Sequence, residues 1–537
     1  MYKNALETIT QLNELGIALS KEKNSNRLLE LILTTARLIT NADAGALFMM
    51  DADGKLRFEV MQTDSLGLAM GGTTNNPIPF YPVKLRDKDG TPNLKQVVAY
   101  SVLHDKTVNI HDAYAKTEFD FSGTRAFDDK TGYRSTSFLC VPMKDHNDKI
   151  IGVLELINCL DDNGKITHFS NQDEQLAKSL ASQAGVSLTN KQLMEEQRAL
   201  FESFIQLIAT AIDKKSSYTG GHCTRVPELT LMLAEAAGKQ KSGPLQDFVL
   251  DEAGRYELEI AAWLHDCGKI TTPEHVVDKA TKLETICDRI HLLDTRFAAL
   301  QHKAEIEYLK GMQETNPADA ATLEKIELHY CNTLEQIKDD RKFLYLCNKG
   351  SEFMHEEYKE RVLRIATQTW RNVDGEEVPF LTDEEINNLI IDKGTLLPGE
   401  REIINDHIVM TIKMLESLPF PSHLKRVPEF AGGHHERMDG KGYPYGLVRE
   451  QMSVQARIMA IADIFEALTA SDRPYKKAMG ISQALQILGN MKLDNHIDPD
   501  LFDVFVSEKI YENYAHKHLK PEQIDKVDLS AIPGFQG

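Results

Sequence analysis

The sequence predicts a multidomain protein: an α+β domain joined by a long helix to an all-α domain that carries a helical insertion. Three observations predict it. The 537 residues exceed what one hydrophobic core normally serves. Residues 28–158 pass from helical spacing of apolar positions to strand-like runs and alternation. From Asp173 to Asp213 there is no proline and a single glycine, with apolar residues returning near helical spacing.

The first element is a helix, because Leu28, Leu29, Ile32, Leu33, Ala36 and Ile39 would share one face. A strand follows at Ala46–Met50, and Leu56, Phe58 and Val60 alternate after the turn Asp51-Ala52-Asp53-Gly54, which predicts a hairpin. Further strands are expected at 107–110, 137–141 and 150–158, and a helix opens near Asn171. This order resembles a GAF domain, a small-molecule sensor, through Val108-Asn109-Ile110, Thr131-Gly132-Tyr133-Arg134-Ser135, Phe138 to Met143 and Ile150 to Asn158. The resemblance implies an antiparallel sheet flanked by helices, with a ligand pocket on one face. Members that bind cyclic nucleotides carry Asn-Lys and then Phe-x-x-x-Asp-Glu. Here Asn158-Cys159 lacks the lysine, while Phe169 to Glu174 keeps the second motif. A cyclic nucleotide, another small molecule, or dimerisation without a ligand are the readings left open.

Along 173–213, Leu176, Leu180, Leu188, Leu193, Leu200, Phe204, Leu207, Ile208 and Ala211 form the apolar set of a connecting helix. A lone helix cannot bury such a stripe, so pairing in a homodimer is expected, with packing inside one chain as the alternative.

The totals set limits. Hydrophobic residues make up 42% and charged residues 26%, ordinary for a globular protein. A formal net charge of −20 argues against non-specific binding to DNA or to an anionic membrane. Neither a signal peptide nor a membrane-length apolar run is recognisable, so a cytoplasmic protein is expected. Seven cysteines without a Cys-x-x-Cys give neither a disulfide framework nor a zinc-finger spacing.

The chemistry gathers around Trp263-Leu264-His265-Asp266-Cys267-Gly268-Lys269, where a buried helix ends in an adjacent imidazole and carboxylate. Both groups suit a borderline divalent metal, and a carboxylate has two oxygens with which to bridge two ions. More groups of ligand type follow. His222 lies just beyond the long helix, His407 precedes the helical run Ile408, Ile412, Leu415, and His434-His435 opens a stretch ending Gly442-Tyr443-Pro444. Asp463 stands in the apolar helix Ile458–Phe465, where a carboxylate is costly unless paired or metal-bound.

His222, His265-Asp266 and Asp463 resemble the ligand set of the HD hydrolase superfamily. His434-His435-Glu436 with Gly442-Tyr443-Pro444, and Arg473-Pro474-Tyr475-Lys476, look like the HD-GYP subfamily of cyclic dinucleotide phosphodiesterases. The resemblance implies one metal on His222, His265, Asp266 and Asp463, and a second bridged by Asp266 and held by His407, His434 and His435. Asp266 and Lys269 would serve catalysis, with Lys269 facing the scissile phosphate. Gly442, Tyr443 and Pro444 would shape the substrate loop, whose glycines let a ligand approach backbone closely. Arg473 and Lys476 would grip phosphate or a base edge. Members with three metals have a glutamate four positions before the first histidine; Tyr218 stands there, and a phenol is a poor ligand at neutral pH, so two ions are expected. Histidine ligands favour a transition metal, and the family points to iron or manganese.

The implied reaction is hydrolysis of a 3′–5′ phosphodiester, in cyclic di-GMP foremost, to a linear dinucleotide, with onward hydrolysis to GMP left open. Alternatives are 3′,3′-cyclic GMP-AMP as substrate, or an inactive module that docks partners through the loop around Tyr443. The expected domains are a sensor at 20–172, the connecting helix 173–213, the phosphodiesterase domain 214–510 with a helical insertion at about 281–390, and a tail at 511–537. Within the insertion, Ile286 to Leu300 and Leu323 to Ile337 predict a helical hairpin, with Asn316-Pro317 as N-cap and first turn and Lys338–Lys342 as a solvated face.

Overall fold

The computed structural model describes residues 16–18, 21–22, 24–87, 89–115, 118–215, 220–350, 353–470 and 478–535. Two compact units divide between Phe201 and Glu202.

The first unit begins with α1 (Ser25–Ile39), capped by Asn24, whose side chain accepts from Arg27 N at 3.1 Å. Strands β1 (Ala42–Met50) and β2 (Lys55–Thr63) form the predicted hairpin, paired from Ala44 with Thr63 to Met50 with Leu56. Then come β3 (Leu68–Gly71), β4 (Val83–Lys84), α2 (Val97–Leu103), β5 (Val108–Ile110), α3 (Ser122–Thr131), β6 (Phe138–Lys144), β7 (Ile150–Leu160) and β8 (Ile166–Thr167). They make one antiparallel sheet in the order β3-β2-β1-β7-β6-β5. The late strand β7 thus lies at the centre. Alternation along it sends Leu154 and Leu156 into a core with α1 and the start of α4 (Asn171–Lys215). It sends Val153 to the other face, among Phe48, Val97, Ile110, Phe121, Phe138 and Cys140. The expected strands are all present, with β1 starting four residues earlier than its apolar run because Ala42 and Ala44 are also buried.

Helix α4 contains the predicted 173–213 stretch and extends it by two residues at each end. Val186, Leu193, Leu200 and Leu207 recur along it every seventh residue, and all four are exposed.

In the second unit, α5 (His222–Ala237), α6 (Glu252–Leu264) and the short α7 (Glu274–Val277) precede the insertion. The insertion comprises α8 (Ile290–Glu314), α9 (Ala320–Asn348), α10 (Glu356–Ala366), β9 (Thr369–Arg371), β10 (Glu377–Pro379) and α11 (Asp383–Leu389). It has a core of its own, including Leu293, Phe297, Phe343, Leu344, Ile365, Phe380 and Leu389. Two expectations are corrected here. The insertion is not wholly helical, since β9 and β10 pair as a hairpin. Asp319, not Asn316, caps α9, accepting from Thr322 N at 3.1 Å, while Asn316 holds the turn before it through Ala318 N. Within 338–342, Lys338, Asp339, Arg341 and Lys342 are exposed, as expected of a solvated face, while Asp340 is buried and pairs with Arg361, and Arg341 pairs with Asp294.

After the insertion come α12 (Pro398–Glu416), α13 (Val427–Gly432), α14 (Val454–Thr469), α15 (Ile481–Leu493), α16 (Pro499–Ser507) and α17 (Ile510–His518). Residues 511–535 do not form a detached tail. Helix α17 packs on α5 and α16 and buries Tyr511, Tyr514 and Ala515, and Gln523 donates to the carbonyls of Thr469 and Met479.

Candidate metal centre

Five segments of the second unit bring the predicted ligands together, and each segment has a local reason for its shape. Gly221, in the left-handed region, starts α5 with His222 as its first residue. Helix α6 ends at Leu264, after which Asp266 leads into the 3-10 turn Cys267–Thr271. Proline at the first position opens α12, so His407 lies within that helix and not before it, as the run from Ile408 had implied. His434 and His435 follow the end of α13, and Ser453 caps α14, which carries Asp463.

A close helix approach joins the halves. A Cβ on Gly268 would lie 1.9 Å from the carbonyl oxygen of His407, and Gly268 N donates to Thr411 Oγ1 at 2.9 Å. Only glycine lets the turn after Asp266 rest on α12. That contact sets Asp266 Oδ1 3.3 Å from His407 Nε2. The other oxygen, Oδ2, faces His222 Nε2 at 3.4 Å, His265 Nε2 at 3.3 Å and Lys269 Nζ at 2.5 Å. The carboxylate therefore divides its oxygens between two groups of imidazoles. Asp463 Oδ1 adds to the first group, 3.2 Å from His222 Nε2 and 3.8 Å from His265 Nε2. In the second, atoms of Asp266, His407, His434 and His435 lie within 4.8 Å of one another.

Four of the five histidines are turned by their other nitrogen. Nδ1 of His265, His407 and His434 meets the carbonyl three residues earlier, on Ala262, Ile404 and Ala431. Nδ1 of His222 meets Glu466 Oε2 at 2.5 Å, and Arg225 Nε donates to Glu466 Oε1 at 2.7 Å. Such outer partners fix the tautomer and aim Nε2 inward. Nε2 of His222, His265 and His434 and Oδ1 of Asp266 are buried without a hydrogen-bond partner. Four orphaned buried polar atoms converging on one place are costly in isolation and fit cation ligands.

The electrostatics agree with that fit. Burial opposes a proton on His222, but the neighbouring carboxylates of Asp266, Asp463 and Glu466 hold its pKa well above the usual value. His265 is likewise opposed by burial and lifted by the charge of Asp266 to about 9. Burial works against ionised Asp266, yet Lys269 and His265 keep it well below the usual carboxylate range. Burial and the neighbouring His265 press His434 down to about 4, and burial and His434 press His435 lower than usual. One half of the centre thus attracts positive charge, and in the other His434 and His435 are held neutral, the form that binds metal.

The Gly442-Tyr443-Pro444 loop lies against the second group. Tyr443 stacks on His435, with ring centroids 4.8 Å apart and planes 18° apart. Burial pushes the Tyr443 phenol up to about 12, so it is neutral. The reason for Gly442 differs from the one expected. A Cβ there would lie 2.4 Å from Glu436 Cα and from Arg437 N, so this glycine serves packing inside the loop. Arg473, Lys476 and Tyr218 lie outside the described residues.

Expectations from residue type and spacing omit Glu466 and give Glu436 no role. Glu466 lies three residues after Asp463 in the same apolar helix, so the argument applied to Asp463 would have found it. Buried Glu436 accepts from Tyr445 N at 2.7 Å and Leu447 N at 2.9 Å, tying the loop to the residue beside the ligand pair. Its partners are backbone amides, which residue identity does not announce.

The chain carries two domains of known kind. Residues 24–188 match the family model described as GAF domain, and residues 382–501 match that described as HD domain. Over the HD region its relatives are cyclic dinucleotide phosphodiesterases. A 3′3′-cGAMP-specific phosphodiesterase of Vibrio cholerae is 41% identical over 118 residues, 22% of this chain and 25% of the relative. A cyclic di-GMP phosphodiesterase of Pseudomonas aeruginosa is 47% identical over 73 residues, 14% of this chain and 17% of the relative. A cyclic di-GMP phosphodiesterase of Thermotoga maritima is 31% identical over 120 residues, 22% and 32% of the two chains. The matches thus span between about a sixth and a third of these relatives' lengths. Among solved structures, a GAF domain of a Coxiella burnetii phosphoenolpyruvate-protein phosphotransferase covers 36% of this chain and 99% of its own, at 15% identity and a TM-score of 0.28. No helix among the described residues is long and apolar enough to cross a membrane.

Proposed function

We propose that the chain hydrolyses the 3′–5′ phosphodiester of a cyclic dinucleotide, with two divalent transition-metal ions, iron or manganese, held by His222, His265, Asp266, Asp463, His407, His434 and His435. The observation that carries this reading is the division of the Asp266 oxygens between two groups of imidazoles. When bound, two such ions lower the pKa of water and neutralise charge on the phosphate. The protein's own groups supply the rest. Asp266 sets the spacing, Glu466 and the helix carbonyls hold the imidazoles in one tautomer, and Lys269 offers an ammonium to a non-bridging oxygen. The Gly442-Tyr443-Pro444 loop, with Arg473 and Lys476, would seat the nucleotide.

Cyclic di-GMP is the foremost substrate of this reading, with the linear dinucleotide as first product. A second reading, 3′,3′-cyclic GMP-AMP, is favoured by the Vibrio cholerae relative named for that substrate. The first unit would bind a small molecule or cyclic nucleotide and act through α4 on a homodimer. The test is to assay the purified, metal-analysed full chain against both cyclic dinucleotides. Cleavage of one at least tenfold faster than the other identifies the substrate, and cleavage of neither with both ions bound rejects the enzyme in favour of a docking module.

A further inference from the structure

The last turn of α4 reaches the metal-ligand segments at two points. Asp213 is buried, and its carboxylate accepts from the backbone amides of Gly221 at 3.0 Å and Cys223 at 3.2 Å, on either side of His222. The first amides of a helix have no acceptor within it, and a glycine at the N-cap has no side chain to offer one. A side chain from another helix supplies it. Two residues further, Lys215 donates to the carbonyls of Lys269 at 3.0 Å, of Ile270, and of Thr272 at 2.7 Å. An ammonium has three protons, matched here by three acceptors. These carbonyls close the turn that directly follows Asp266 and bears Lys269. The end of that turn carries partial negative charge, which a cation offsets.

We propose that Asp213 and Lys215 are positioning residues for the metal centre. Asp213 fixes the start of α5 and with it His222. Lys215 fixes the turn that presents Asp266 and Lys269. One turn of one helix thus grips backbone beside three proposed site residues, so its rotation or fraying is delivered to all of them together. The inference rests on the proposed hydrolysis for its catalytic readout only.

The experiment uses the full chain loaded with Mn²⁺ and follows manganese release into excess EDTA, turnover of both cyclic dinucleotides, and melting temperature. The variants are Lys215→Met, Lys215→Arg, Asp213→Asn and, as the exposed neighbour on the same turn, Lys214→Met. Lys215→Met and Asp213→Asn are expected to release manganese at least fivefold faster and to lose at least fivefold in kcat, with KM within twofold of the parent. Lys215→Arg is expected to recover at least half of the loss, and Lys214→Met to match the parent. Release rates within twofold of the parent in Lys215→Met and Asp213→Asn overturn the proposal, as does an equal effect in Lys214→Met or a lower melting temperature with unchanged release per folded chain. Where Lys215→Met does not fold, Lys215→Gln is judged by the same release criterion. A parent that binds manganese but cleaves neither dinucleotide removes the proposed function, while the release rates still decide this inference; a parent that binds no manganese overturns both.

Discussion

Asp266 is the residue on which both groups of imidazoles depend, and its removal separates the two-ion reading from any simpler one. Asp266→Ala is expected to abolish metal retention and lower turnover by more than about 100-fold, beyond the range typical of losing an outer partner of a ligand. Full activity in that variant would reject the bridge. Glu466→Gln should cost about 10–100-fold in metal affinity, because a neutral amide holds the His222 imidazole less firmly; elemental analysis at limiting metal measures it. A different carboxylate reports on the first unit. Glu155 sits on β7 opposite Ala46 and Cys140, and burial, opposed only by the Cys140 thiol, raises it from its usual 4.5 to about 7. A raised folded-state pKa means that the folded unit holds its proton longer than the unfolded chain. This contribution to stability is present in full below about pH 4.5 and is lost as pH rises through 7. The change is on the order of 3 kcal/mol, so Glu155→Gln should raise the melting temperature of the first unit at pH 8 and leave it nearly unchanged at pH 5. Equal shifts at both values would show that the carboxyl titrates normally. At this scale the sequence was most readable where the residue type itself is the chemistry, as with Asp463 in an apolar helix. It was least readable where a side chain acts on backbone, as with Glu436, Asp213 and Lys215, or where a glycine is needed for packing, as with Gly268 and Gly442.

Among the elements, α4 carries the clearest mechanical expectation. The sevenfold recurrence of Val186, Leu193, Leu200 and Leu207 is the period of a left-handed coiled coil, and their exposure leaves that seam available to a second copy. Light scattering should give a dimer, and Leu193→Asp with Leu200→Asp should give a monomer. Inserting seven residues after Gln197 preserves the facing of the helix, whereas inserting two turns it by more than half a circle. The two-residue insertion should therefore change turnover, and the seven-residue one should not. Identical behaviour would mean that the helix only tethers. Helices and strands were legible because their apolar periods differ, and the long helix because nothing interrupts it. The β9–β10 hairpin was missed because three-residue strands are too short to display a period. The cap of α9 was misplaced by three residues because Asn316 and Asp319 both suit a cap, and only the backbone hydrogen bonds distinguish them.

For the whole molecule, the net charge of −20 sets how the proposed dianionic substrate would be met. Long-range attraction works against capture, so affinity rests on contacts within a few ångströms. Arg473→Lys should weaken substrate binding by about 1–3 kcal/mol, the scale of one bidentate contact, with metal content unchanged. An unchanged dissociation constant with a lower melting temperature would assign Arg473 to the end of the Asp463 helix. The insertion bears on a further property, the order in which this protein comes together. Gly268 and Thr411, whose contact joins the halves of the centre, are 143 residues apart in sequence. At the base of the insertion, however, Lys279 pairs with Glu400, and Thr395 donates to the carbonyl of Lys279. Once the insertion has folded around its own core, the two strands leaving it are already neighbours. The chain entropy of bringing Asp266 to His407 then belongs to a loop of about twenty-five residues in place of about 140, a relief of roughly 1.5 kcal/mol by the logarithmic dependence on length. The insertion would thereby act as a folding scaffold: a nascent chain that completes residues 281–390 first has shortened the search for the candidate metal centre before the last of its proposed ligands, His434, His435 and Asp463, have been synthesised.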